Sequence, residues 1–281
     1  MKLLAEGRDR LAAAGIANAA WEAEQLLVEP FGGHFASLYL AFENRPKPDL
    51  TESYRRMIER RIAHEPLQQI VGHWPFLELD LVVDRRALVP RPETEDLALH
   101  ARTLLPDDRD TLAIDVGTGG GCLALALLYA KPRLRVIAID LESDALALAL
   151  ENARRLDLDE RIEWIHGDLL LALPTGRRAD LIVANLPYVS ESEWEELTPD
   201  VKDYDPRSAL VAADQGLAQI ARLIEQAPRH LQRGAWISLE HAPRQQRQVS
   251  QLLDARGFTM IERHRDRFDR DRWITARWLS T

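Results

Sequence analysis

An alternation of short apolar runs with helical segments, gathered around one glycine loop, constrains this chain more than any other feature. Thr111–Ile114 is an apolar run short enough for a buried strand; Asp115-Val116-Gly117-Thr118-Gly119-Gly120-Gly121 follows, and Cys122–Leu128 reads as helix. Glycines there allow positive φ and let a ligand approach main-chain N–H groups with no Cβ in the way. The same alternation continues through a strand at Arg135–Asp140, a helix at Ser143–Leu156, and strands at Ile162–His166 and Ala179–Ala184. A helix over 216–231 then precedes strands at Ala235–Glu240, Phe258–Ile261 and Trp273–Trp278, seven strands in all. Such an order predicts an α/β fold, a largely parallel sheet with helices on both faces, and a ligand site at the carboxyl ends of the strands. Asp115, Asp140, Asp168 and Asn185 all fall at or just beyond those ends.

Residues 1–73 carry a different pattern. Leu3, Leu4 and Leu11, then Trp21, Leu26, Leu27 and Val28, recur at helical spacing, with Asn18 an N-cap for the second segment and Phe31-Gly32-Gly33 its stop. A further helix is expected from Thr51 to the Glu65-Pro66 break. From Pro75 the period shortens to two through Phe76, Leu77, Leu79, Leu81 and Val83, which predicts a hairpin. The chain therefore divides into a helical domain at 1–73, a hairpin joint at 74–92 and a main domain at 93–281. Composition narrows the setting: one cysteine, Cys122, excludes a disulfide framework and a cysteine zinc site, and points to a reducing compartment, the cytoplasm by default. The charged N-terminus lacks the apolar core of a signal peptide, and no stretch is long enough to span a bilayer. A net charge of −9 opposes nucleic-acid phosphates. His166, His230 and His241 have no neighbours at metal-ligand spacing, so no metal is expected.

Two motifs carry chemistry. Asp140, about twenty residues past the glycines, stands where an acid accepts the ribose hydroxyls of an adenosine cofactor. The glycine-any-glycine-any-glycine spacing of Gly117–Gly121, with Thr118 and Gly120 between, resembles the loop of S-adenosylmethionine methyltransferases rather than the dinucleotide fingerprint. Asp115 has two readings: it takes the cofactor's ammonium, or it is a buried acid satisfied by loop N–H groups. Asn185-Leu186-Pro187-Tyr188 resembles the clamp by which amino-methyltransferases hold a planar nitrogen. In that family the Asn oxygen and the next carbonyl accept the two N–H bonds of an –NH₂ group while the aromatic ring packs on its face. The plain alternative is a strand-end Asn before a proline turn. Val89-Pro90-Arg91-Pro92-Glu93-Thr94-Glu95-Asp96 reads as a rigid loop opening a helix with acids in its first turn.

Taken end to end, the chain resembles the bacterial protein-glutamine methyltransferases that modify peptide-release factors. The resemblance runs through Glu65-Pro66-Leu67-Gln68-Gln69-Ile70-Val71-Gly72, the Arg91-Pro92-Glu93-Thr94-Glu95 segment, the glycine loop and the clamp. It continues through Tyr204-Asp205-Pro206-Arg207-Ser208-Ala209-Leu210 to the closing Arg270-Asp271-Arg272-Trp273. It implies a Rossmann-like, seven-stranded, S-adenosyl-L-methionine-dependent methyltransferase domain beside a helical domain that docks class I release factors, whose Gly-Gly-Gln glutamine is the substrate. By similarity Gly117–Gly121, Asp140, Asp168, Leu169 and Asn185 bind cofactor, and Asn185, Leu186, Pro187 and Tyr188 hold the glutamine amide. Arg91, Glu93, Thr94 and Asp115 complete the candidate cofactor set. Two positions depart from the family pattern: Leu186 stands where proline is usual, as in adenine methyltransferases, and Val211–Gly216 lacks the usual glycine-rich turn. Competing readings are an adenine-specific nucleic-acid methyltransferase, a methyltransferase for a ribosomal-protein glutamine, a catalytically silent binding module and a nicotinamide reductase. The acidic stretch 191–205 opposes the first, and the Arg91–Glu95 version opposes the second.

Overall fold

The computed structural model describes residues 2–31 and 48–280. The chain falls into two compact units, one of residues up to His73 with Thr198–Tyr204, the other of Trp74–Leu197 with Asp205 onward.

The first unit holds helices α1 (Lys2–Ala13), α2 (Ala19–Val28), α3 (Pro48–Ile62) and α4 (Leu67–Val71). Leu11, Ala23, Leu26, Leu27, Tyr54 and Ile58 form its buried interior, as the helical spacing of the leucines requires. Helix α3 begins three residues before Thr51, because proline is well accommodated at a first helical position. Asn18 stands at the N-cap of α2, but its side chain makes no capping bond. Of the expected stop at Phe31-Gly32-Gly33, the two glycines lie outside the described residues. A buried pair joins Arg61 of α3 to Glu22 of α2, and Arg61 Nη1 also donates to the Glu65 carbonyl at 3.2 Å. Two of the motif stretches meet within this unit: Gln69 Nε2 donates to the Tyr204 carbonyl at 3.4 Å, and Tyr204 Oη to the Ala63 carbonyl at 2.8 Å.

The second unit is built on a seven-stranded sheet. Its elements in chain order are the hairpin β1 (His73–Phe76) and β2 (Leu79–Val82), α5 (Pro92–Thr103), β3 (Thr111–Val116), α6 (Cys122–Ala130), β4 (Leu134–Asp140) and α7 (Ser143–Arg155). There follow β5 (Ile162–His166), β6 (Ala179–Ala184), α8 (Glu191–Glu196), and, with α9 (Pro199–Lys202) belonging to the first unit, α10 (Ala218–Gln226), β7 (Leu231–Glu240), α11 (Gln246–Ala255), β8 (Thr259–Arg265) and β9 (Asp271–Arg277). Strand order is β5-β4-β3-β6-β7-β9-β8, with β9 antiparallel to both of its neighbours and the rest parallel. The fold class is the one the alternation predicts. Alternate residues supply the two faces: Ile114, Val116, Ile182 and Ile237 pack with Ile220, Leu223, Val249 and Leu253 of α10 and α11. Ala113, Val136, Leu181 and Val183 pack instead with Leu97, Ala101 and the almost wholly buried α6.

Phe76, Leu79 and Leu81 of the hairpin are buried in that second cluster, and Leu77 N donates to Glu95 Oε1 at 3.0 Å. The stretch expected as a joint is thus core for the main unit. The helix expected over 216–231 is shorter than its pattern: Pro228 cannot continue it, a 3₁₀ turn at Ala227–Arg229 follows, and β7 already starts at Leu231. Strands β8 and β9 extend past their apolar segments because arginine-bearing residues pair across the antiparallel edge, Arg263 with Ile274 and Arg265 with Asp271.

Candidate active site

Register brings the polar residues to one rim. Val116 pairs with both Ile139 and Ala184, and Ala184 pairs with Leu239, so Gly117, Asp140, Asn185 and Glu240 leave the sheet at one level. The chain runs outward from β3 to β5 on one side and from β6 on the other, so this rim lies at the topological switch point where open α/β sheets bind ligands. A cleft opens there with about 1060 Å³ of empty space, open solvent at its mouth included. Arg91, Thr94, Gly117, Thr118, Gly119, Gly120, Asp140, Asp168, Leu169, Asn185, Leu186 and Pro187 line it. Asp115, Glu93, Gly121 and Tyr188 do not contribute to its wall.

Physical reasons place each group. Asp115 shares the sheet face of Ala113, so its carboxylate turns toward α6: Oδ2 accepts from Thr118 Oγ1 at 2.7 Å and from Ala124 N at 3.1 Å. Its Oδ1 is buried without a hydrogen-bond partner, and burial pushes the carboxyl up to about 7. Asp140 ties the glycine loop to the start of α7, accepting from Gly119 N at 2.8 Å and Glu142 N at 2.9 Å; its pKa is raised, first by burial. Gly117 has φ +73°, and a Cβ there would stand 2.9 Å from Leu186 Cδ2, so loop and clamp touch through Leu186. Asp168 pairs with Arg222. Glu93 pairs with Arg270, and Arg267 bridges Glu95 and Asp96 at 2.9 and 2.8 Å, so the arginine-rich run after β8 holds down the first turn of α5. Arg91 pairs with the buried Asp205 at 2.6 Å. The acids at Glu191 and Glu193 are likewise engaged, by Arg207 and Arg244.

Behind the clamp lies a polar network. Asn185 Nδ2 donates to Thr94 Oγ1 at 3.0 Å, and the Thr94 hydroxyl donates to Glu240 Oε2 at 2.8 Å. Tyr188 Oη donates to Glu240 Oε1 at 3.2 Å and lies 3.4 Å from Arg272 Nη1. Burial raises the Tyr188 phenol, with the Glu240 charge adding to it. The Tyr188 carbonyl accepts from Gln245 Nε2 at 3.1 Å and Arg244 Nη2 at 3.4 Å. Glu240, Arg272, Arg244 and Gln245 were absent from the sequence-derived set. Glu240 ends an apolar strand in the manner of Asp140, which was its one available signal. Among the described residues, no cluster of three or more acidic, histidine or cysteine side chains forms a metal site.

The departure at Val211–Gly216 has a structural counterpart. Asp214 and Gln215 both take φ +53°, left-handed geometry that glycine would adopt without strain, and Gly216 follows at +83°. A Cβ on Gly216 would lie 2.0 Å from the Tyr188 carbonyl oxygen and 2.8 Å from Gln245 Nε2. Gly216→Ala is therefore expected to cost about 2–3 kcal/mol of stability, from overpacking and strain together. It should also lower kcat by displacing Tyr188. Urea unfolding with a parallel activity assay checks both, and wild-type values for each would show that this turn does not brace the clamp.

Comparison with known proteins fits these parts together. Residues 2–72 match the family model described as the PrmC N-terminal domain, and residues 113–204 match a methyltransferase domain model. The release factor glutamine methyltransferase of Cereibacter sphaeroides is 37% identical over 268 residues, covering 95% of this chain and 94% of its own. That of Streptomyces coelicolor is 36% identical over 279 residues, covering 98% and 96%. A methyltransferase structure from Pyrococcus furiosus superposes with a TM-score of 0.55 at 13% identity, over 82% of this chain and 98% of that one, which shows the shared fold. The chain is an S-adenosyl-L-methionine-dependent methyltransferase and belongs to the release factor glutamine methyltransferase family.

Proposed function

We propose that this enzyme methylates the side-chain amide nitrogen of the glutamine in the Gly-Gly-Gln motif of class I peptide chain release factors, in the cytoplasm. The observation that carries the reading is the convergence of Gly117–Gly120, Asp140 and Asn185–Pro187 on one cleft. In this assignment residues 1–73 dock the factor, and 93–281, with the 74–92 hairpin packed into their core, carry the chemistry.

The donor set fits the cofactor. The glycine loop, which lines the cleft with no Cβ at three of its positions, and Asp140 suit an adenosine moiety, Asp168 and Leu169 extend that wall, and the unpartnered Asp115 Oδ1 puts negative potential beneath a loop assigned to a cationic ligand. When bound, S-adenosyl-L-methionine supplies an electrophilic methyl group on a sulfonium sulfur. An amide nitrogen is a poor nucleophile because its lone pair is delocalised, so orientation and charge stabilisation must carry the rate. Asn185 Oδ1 and the Leu186 carbonyl are assigned as the acceptors of the two N–H bonds; they hold the nitrogen's direction and favour the positive charge that develops on it. Pro187, which lines the cleft, is assigned to flank the amide plane, and Tyr188, behind the wall, completes the clamp by bracing it through Glu240 and Gln245. No strong base is required, because the N-methylated cation loses its proton to water.

Methyl transfer from labelled S-adenosylmethionine tests this. Purified class I release factor is assayed beside a copy with its Gly-Gly-Gln glutamine replaced, DNA, and ribosomal protein. Label on the intact factor alone is the expected result. Label on DNA or ribosomal protein, or none despite tight cofactor binding, overturns it.

A further inference from the structure

We infer that Glu240, acting through the Thr94 hydroxyl, is a positioning residue that fixes which end of the Asn185 carboxamide faces the cleft. This rests on the assignment of Asn185 Oδ1 as an acceptor for the substrate amide. A threonine hydroxyl has one proton to give. Here it goes to Glu240 Oε2 at 2.8 Å, which leaves Thr94 Oγ1 as an acceptor. Asn185 must then turn its Nδ2 to Thr94, 3.0 Å away, and its Oδ1 is the atom left for the cleft that Asn185 lines. Reversal of the Thr94 hydroxyl would turn the amide over and set N–H against N–H at the substrate.

The direction of the relay depends on the charge of Glu240, which is 1% exposed. As a carboxylate it can only accept, so the relay runs one way; as a carboxylic acid it can donate to Thr94, and the relay runs either way. The groups facing it are Thr94 and Glu93 from α5, Cys122 at the start of α6, Tyr188 after β6, and Arg272 from β9, itself 3.4 Å from Asp266. Burial dominates and pushes Glu240 up to about 7, with Thr94, Arg272 and Tyr188 pulling it down and Glu93 raising it. Fewer correctly turned Asn185 amides are therefore expected below that pH. Neither Thr94 nor Glu240 needs to touch the reacting atoms.

The test compares full-length wild type, Thr94→Val and Thr94→Ser, with release factor as substrate. Valine keeps the β-branched shape and deletes the relay. Thr94→Val is expected to lower kcat roughly 10- to 100-fold. Its melting temperature should fall by several degrees, because buried Glu240 Oε2 loses its donor, while its KM for the factor and Kd for S-adenosylmethionine should stay within about threefold, and it should lose the decline of kcat below pH 7. Thr94→Ser should recover most of kcat and restore that decline. Wild-type kcat in Thr94→Val, a loss confined to cofactor Kd, or an acid limb that persists in the valine variant overturns the proposal. A readout without turnover separates it from the functional assignment: the side-chain ¹⁵N–¹H signals of Asn185 should exchange slowly in wild type and rapidly in Thr94→Val. Should the wild type methylate no release factor, the functional assignment fails, while unchanged Asn185 signals in Thr94→Val would overturn the relay on their own.

Discussion

Asn185→Ala is expected to lower kcat by about 10²- to 10³-fold, the scale on which loss of one preorganised hydrogen-bonding group at a developing charge is felt. Asn185 sits at the end of β6 with its amide turned by Thr94, beside a Leu186 that packs on the glycine loop. Deleting the side chain removes one of two proposed acceptors and the steering of the nucleophile, yet it leaves Asp140, Gly119 and the loop geometry untouched. The affinity for S-adenosylmethionine should therefore change by no more than about threefold, so the loss falls on a transition-state interaction. Single-turnover methyl transfer and calorimetric titration of cofactor read the two quantities separately. A variant with unchanged turnover would take Asn185 out of the mechanism, and a matching collapse in cofactor affinity would make it part of the cradle instead.

Asp115→Asn is expected to raise the stability of the ligand-free protein at pH 8 and to weaken S-adenosylmethionine binding at least about tenfold through loss of the opposing charge. Burial lifts Asp115 from an ordinary 3.8 to about 7, and Glu240 from 4.5 to about 7. Their folded pKa values exceed the unfolded ones, so the stability they contribute is fully present below about pH 4 and is lost as pH rises through 7. Glu193, held down to about 2 by Arg244, acts in the opposite sense: its contribution is present above 4.5 and lost as pH falls toward 2. These groups together set maximal stability near pH 4–5. At roughly 1.4 kcal/mol per unit, the Asp115 shift is worth on the order of 4 kcal/mol at pH 8. An unpaired asparagine N–H₂ in the same place returns about 1–3 kcal/mol of that. A net gain of about 1–3 kcal/mol at pH 8, turning into a loss of about 1–3 kcal/mol by pH 4, where the wild-type carboxyl no longer carries its penalty, is the expected outcome of urea titrations at several pH values. A destabilised variant at pH 8 would mean that the carboxylate is stabilised where it stands.

The outline of the main unit was legible because its signals are local. Each strand–helix step is a short apolar run followed by an amphipathic or wholly apolar segment, and the glycines between Val116 and Cys122 admit only a tight turn. Boundaries failed where a distant partner outweighed local pattern. Pro228 cut α10 short and β7 took over the residues after it, while the edge pair β8–β9 lengthened through cross-strand partners that no single segment displays.

Of the candidate site, position along the chain was enough to bring Gly117, Asp140, Asp168 and Asn185 to one rim, because strand ends in a parallel sheet converge whatever the side chains are. Facing was not readable. Asp115 and Asn185 both stand near strand ends, yet pleating turned one carboxylate under α6 and left the other side chain in the cleft. Glu93 and Thr94 are adjacent in sequence, yet one pairs with Arg270 while the other joins Asn185 to Glu240. Residue type and order thus specified the chain's architecture and its family. The hydrogen-bond directions at Asn185, the charge buried beneath the glycine loop and the bracing of Tyr188 by Gly216 and Gln245 arose only on folding. Each depends on contacts between residues far apart in the chain, whose geometry and desolvation exist only in the packed state.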